Sequence, residues 1–71
     1  MNKSSAIAAK ANALKAIGAL LELLEIGKEG YEPEEFQALH RAVGVLVGET
    51  QVRVLDPIYE AYPELSDLET P

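Results

Sequence analysis

Residues 43–55, VGVLVGETQVRVL, decide the fold. Taken with a period of 3.6, they form the second half of a helix opening near Pro33. Phe36, Leu39, Val43, Leu46, Val47, Thr50 and Val54 then fall within about 100° of one another on a helical wheel. Taken with a period of two, Val47 pairs with Val52 and Val45 with Val54 on one face of a β-hairpin turned at Gly48-Glu49-Thr50-Gln51. Five valines and two glycines weigh against the helix, because β-branched side chains lose rotamer freedom there and glycine costs backbone entropy. Against the hairpin stand the marginal stability of a lone two-stranded ribbon in water and the poor turn chemistry of Glu49-Thr50 beside Asn-Gly. The helix is preferred, over about residues 33–55; an α+β fold with a β-hairpin at 43–55 is the alternative.

Working back toward the N-terminus, residues 4–26 read as a helix of Ala and Leu that Ser4 or Ser5 can cap. Ile7, Leu14 and Leu21 recur every seven residues, and Ile17 and Leu24 follow three positions after the last two, which marks an a/d seam. Ala9, Ala13, Ala16, Leu20 and Leu23 widen the apolar arc to roughly 200°, about twice what one neighbouring helix covers. Lys10 lies inside this arc, with its stem expected along apolar surface and its ammonium in water. Between the helices, Gly27 or Gly30 is expected to supply a left-handed cap, and Pro33, with Glu34 and Glu35 in the first turn, opens the next helix. So short a connection makes the two helices antiparallel neighbours.

Toward the C-terminus, Asp56-Pro57 reads as a cap and first position for a short third helix over about 57–62, which Pro63 stops. Residues 64–71 alternate acids with Leu65 and Leu68 and read as a frayed acidic tail. The expected fold is therefore all-α: one small domain spanning 1–71, an antiparallel helical hairpin plus a short third helix, dimerising into a four-helix bundle.

Size and charge bound what such a chain can do. A chain of 71 residues buries only about 60% of the surface its unfolded form exposes. Domains this small usually recruit disulfides, a metal or a second chain. There is no cysteine and one histidine, which leaves exceptionally good helix packing, self-association or a heterologous partner. The net charge is −6: residues 1–20 hold Lys3, Lys10 and Lys15 and no acid, whereas the chain after Arg53 holds only acids. Phosphate backbones and anionic membranes repel such a protein, so direct nucleic-acid binding and membrane association are not expected. Lys10 and Lys15 interrupt any signal-peptide core, and no apolar run approaches the ~20 residues that span a bilayer. A cytoplasmic protein is expected.

The chemistry-bearing residues are sparse. His40 lacks acids at ligand spacing and reads as a boundary histidine. Ser4, Ser5 and Ser66 have no base in context, and Gly44-x-x-x-Gly48 lacks the Lys and Ser/Thr of a phosphate loop. No cofactor, metal or catalytic residue is assigned, and an enzyme is not expected. Gly44, Gly48, Val45, Val52 and Leu55 form a second, small-residue face on the second helix. With Ala9, Ala16 and Leu23 of the first helix they are the expected self-association interface. Tyr59, Tyr62, Glu60, Glu64 and Asp67 are the expected contact with a basic protein partner, tyrosine supplying area at small entropic cost. The reading is a homodimeric interaction module: an inhibitor, an antitoxin- or immunity-like protein, or an adaptor. The alternatives are an acidic nucleic-acid mimic that blocks a DNA- or RNA-binding enzyme and a structural subunit of a larger assembly.

Overall fold

The computed structural model describes residues 1–66, and it is all-α. Helix α1 (Lys3–Gly30) is followed by α2 (Pro33–Thr50), a π-helical segment (Gln51–Leu55), α3 (Asp56–Ala61) and a 3-10 turn (Pro63–Leu65). The π segment joins α2 to α3 without a break, making one bent helix of 29 residues. No strand occurs among the described residues, so residues 43–55 form no β-hairpin. Gly27 lies against Phe36 and Leu39 at one end and Lys10 meets Leu65 at the other, which fixes the helices as antiparallel. The radius of gyration is 14.8 Å, against the roughly 11 Å of a compact chain of this length.

The ends of α1 differ from the sequence expectation. Neither Ser4 nor Ser5 is the cap: Asn2 is, its Oδ1 accepting the Ser5 N–H at 2.7 Å. Neither Gly27 nor Gly30 adopts a positive φ, and the helix continues through both to an extended Tyr31. The link is then only Tyr31 and Glu32. At α2 the expectation holds, since Pro33 opens the helix and the Glu35 carboxylate accepts the Glu32 N–H at 2.9 Å.

Asp56 does not cap a new helix. Its backbone is right-handed helical, and its N–H donates to the Gln51 carbonyl five residues back. The cause is Pro57. In a regular turn its ring would press on the carbonyl of Arg53, four residues earlier, and it has no N–H to offer. Widening the preceding turn gives that carbonyl room, at the cost of one extra residue in the register. The inward face therefore runs Phe36, Leu39, Val43, Val47, Thr50 and then Leu55 and Ile58, skipping Val54. Leu55 is 1% exposed and Val54 is 41% exposed. We expect Leu55→Ala to lower stability by about 3 kcal/mol and Val54→Ala by less than about 1 kcal/mol in chemical denaturation. Equal losses would mean that the helix keeps its regular register.

On α1 the inward seam is Ala6, Lys10, Ala13, Ile17, Leu20, Leu24 and Gly27, spaced alternately four and three apart. Ile17 and Leu24 sit where expected. Ile7, Leu14 and Leu21 do not: they are 51%, 45% and 51% exposed, one position round from the buried residues. Size complementarity explains the rotation. The bent helix brings large side chains to both ends of the contact, and α1 meets them with small ones. A Cβ on Gly27 would stand 2.7 Å from Leu39 Cδ2 and 3.1 Å from Phe36 Cδ1, whereas Gly18, Gly44 and Gly48 face open space. Gly44→Ala should accordingly raise stability by about 0.5–1 kcal/mol. Gly27→Ala should lower it by about 1 kcal/mol, overpacking outweighing the gain in helix propensity. Thermal unfolding of the two variants checks the close approach, and a stabilising Gly27→Ala would refute it.

Candidate interaction surface

The residues expected to meet partners separate into three groups. Gly44, Gly48, Val45 and Val52 lie exposed on the bent helix, and Ala9, Ala16 and Leu23 are exposed on α1. Leu55 belongs instead to the core and cannot meet a second chain. Its assignment to the outer face assumed a regular helix through residue 55, which the π turn removes.

The aromatic and acidic set is largely engaged within the chain. Lys10 is half-buried, its ammonium 5.9 Å from the Tyr59 ring centroid and donating to the Leu65 carbonyl. The Lys10 head is thus held over an aromatic face, and does not simply reach water as its position in the apolar arc suggested. Tyr62 Oη donates to the Met1 carbonyl at 3.3 Å, and Lys3 Nζ pairs with Glu64 at 3.1 Å. These contacts dock residues 62–65 on the start of α1, with Pro63–Leu65 forming a 3-10 turn at the head of the expected tail. Glu60 is exposed. Residues 67–71 of the expected tail, Asp67 among them, lie outside the described residues.

At the opposite end of the rod the charges have few partners. Residues 22–35 hold six glutamates and one lysine, and that Lys28 pairs with Glu25 at 3.3 Å. Among these acids stand two exposed apolar side chains, Ile26 and Tyr31. Shallow open depressions flank them, one lined by Glu25, Ile26, Glu29 and Gly30 and another by Glu32 to Glu35. Sequence reasoning placed Glu34 and Glu35 in the first turn of the helix, facing its macrodipole, where the structure has them, and assigned nothing to Ile26. The signal available was the local charge imbalance. It was hidden because Gly27 and Gly30 suggested a loop where α1 continues.

His40 is exposed, and its ring lies tilted at 55° to Phe36 with centroids 6.3 Å apart. Among the described residues no three His, Cys, Asp or Glu side chains converge as a metal site, and no helix is long and apolar enough to cross a membrane. Comparison with protein-family models, curated proteins and solved structures returns no match.

Glu64 gives the docked turn a pH signature. Its carboxyl is held below the ordinary value of 4.5, first by a hydrogen bond from its own backbone N–H and then by Lys3, with desolvation opposing. A carboxylate whose folded value is depressed stabilises the fold fully above its unfolded value, and that contribution is lost as pH falls through the folded value. The lost stability should therefore appear below pH 4.5. Measured from neutral to acid pH, the stability gap between wild type and Glu64→Gln should close in that range. A gap that stays constant there would remove Glu64 from the docking contact.

Proposed function

We propose that this chain is a small non-enzymatic interaction module of the cytoplasm that engages a protein partner with a basic surface, as an inhibitor, an antitoxin- or immunity-like protein, or an adaptor. The observation that carries this reading is the loop end of the hairpin. There, exposed Ile26 and Tyr31 stand among glutamates that, Glu25 with Lys28 apart, form no ion pair among the described residues. An apolar centre within a charged rim is the usual anatomy of a protein-binding patch. The acids would steer an oppositely charged partner, and the two side chains would supply the buried contact. Tyr59, Tyr62 and Glu64, already committed to closing the other end, are secondary contributors, and Glu60 remains available beside them.

Affinity capture from the native host tests the proposal, with the wild type set against a Tyr31→Ala/Ile26→Ser double variant. We expect a basic protein retained by the wild type, released by salt, and lost at least tenfold by the double variant. Equal retention by both would overturn the loop-end site. A captured DNA- or RNA-binding enzyme that nucleic acid displaces would favour the mimic instead.

A further inference from the structure

We propose that the start of α1 is a binding surface for an acidic, leucine-bearing segment of a partner protein, and that residues 62–66 of the chain itself occupy it as an autoinhibitory strap. The structure holds the recognition in cis. Lys3 Nζ pairs with the Glu64 carboxylate at 3.1 Å, the Lys10 ammonium donates to the Leu65 carbonyl beside the Tyr59 ring, and the Met1 carbonyl accepts the Tyr62 hydroxyl at 3.3 Å. Leu65 and Ser66 are half-buried where they lie.

Lys10 makes this more than a terminal turn packing on a helix. It stands on the inward seam of α1 between Ala6 and Ala13, both buried, at a position where an apolar side chain would serve helix packing better. A half-buried ammonium is costly unless an acceptor is brought to it, and here the acceptor is a main-chain carbonyl of the strap. That requirement suits a segment arriving with its backbone groups uncommitted, since the carbonyls inside a helix already have partners. Lys3 lies two turns before Lys10 on the same line of α1 and takes the acid next to that carbonyl. Residues 1–20 contain lysines and no acid, so charge selects an acidic ligand.

The strap is poised to leave. Helix α3 ends at Ala61, and Tyr62, at φ −136° and ψ 77°, is kept out of the helix by the proline that follows it. Beyond that hinge lies a single 3-10 turn, Pro63–Leu65. The Lys3 and Glu64 side chains are each 54% exposed, and a pair so placed holds only weakly. Such a ligand stays seated because its tether is short, a flexible link of this length giving an effective concentration in roughly the millimolar range. An outside segment of the same chemistry competes with the strap, and gains the surface when it is abundant or brings further contacts.

NMR titration of the full chain with a capped YPELS peptide, copied from residues 62–66, tests the proposal. Ile26 and Tyr31 are untouched and no host protein is used, so the result stands apart from the loop-end proposal. A Glu64→Lys/Leu65→Gly variant, in which the strap is repelled by Lys3 and loses its half-buried side chain, should bind the peptide roughly tenfold or more tightly than wild type does. That is the factor by which a site occupied in cis about nine-tenths of the time weakens a competitor. The shifts should centre on Lys3 and Lys10, and adding Lys10→Met should abolish them while circular dichroism shows the helices intact. A YPKLS peptide should not bind. In wild type, excess YPELS should speed hydrogen exchange at the Leu65 and Ser66 amides, which donate within the docked turn at 2.9 and 3.1 Å. Equal affinity of wild type and the released variant, a released variant that takes no peptide, binding that survives Lys10→Met, equal binding of YPKLS, or unchanged exchange in wild type would each overturn the inference.

Discussion

Pro57 sets the geometry on which the rest of this molecule depends. Because its ring cannot sit over an ordinary turn, the helix before it takes in one extra residue, and every side chain beyond is rotated relative to the face established by Phe36, Leu39 and Val43. That rotation puts Leu55 and Ile58 in the contact and Val54 outside it. It also brings Tyr59 beneath Lys10 and carries the following turn back onto the start of α1. Without the extra residue, a helix of this length would direct its last two turns away from its neighbour. The small residues of α1 are the other half of the arrangement, since Ala6, Ala13 and Gly27 let the bent helix approach where its own side chains are largest.

The uneven charge of the chain then acquires a physical meaning. Lys3 and Glu64 are separated in sequence and adjacent in space, so part of the imbalance is neutralised internally by that pair, while the Lys10 ammonium donates to the Leu65 carbonyl. Exposed pairs of this kind add little stability, and the two-residue link already sets which end of the bent helix meets which end of α1. What remains is an acid-rich tip at the loop, where six glutamates outnumber a single lysine. The molecule is a rod with a neutralised end and an acidic end.

Much of the fold was legible in the residues. The helical period through Val43, Val47 and Thr50 outweighed five valines, and Pro33 followed by two glutamates marked the start of α2 correctly. Three features were not legible, each for a definite reason. The inward seam of α1 is built from alanine, lysine and glycine as much as from leucine, so the heavier heptad of Ile7, Leu14 and Leu21 drew the assignment away from it. Asp56-Pro57 looks the same whether it starts a helix or widens the turn before it, because either arrangement relieves the clash of the proline ring with the Arg53 carbonyl. Gly27 serves close packing here, not a left-handed turn, a role that depends on Phe36 and Leu39 opposite it. Of the expected interaction residues, Val45, Val52, Gly44 and Gly48 of the bent helix are exposed, whereas Leu55, Tyr59, Tyr62 and Glu64 have contacts within the chain.

The two ends of the rod also differ in how they must be assembled. The loop end is closed by a link of only Tyr31 and Glu32, so Phe36 and Leu39 can find Gly27 with almost no chain to restrain. The other end joins Tyr62 to Met1 and Leu65 to Lys10, groups at opposite ends of the described chain. Local contacts form quickly and distant ones slowly, so the hairpin zips from its acidic tip and the docked turn closes last. The same order reversed makes that turn the first part of the fold to open, freeing the start of α1 before the tip is disturbed.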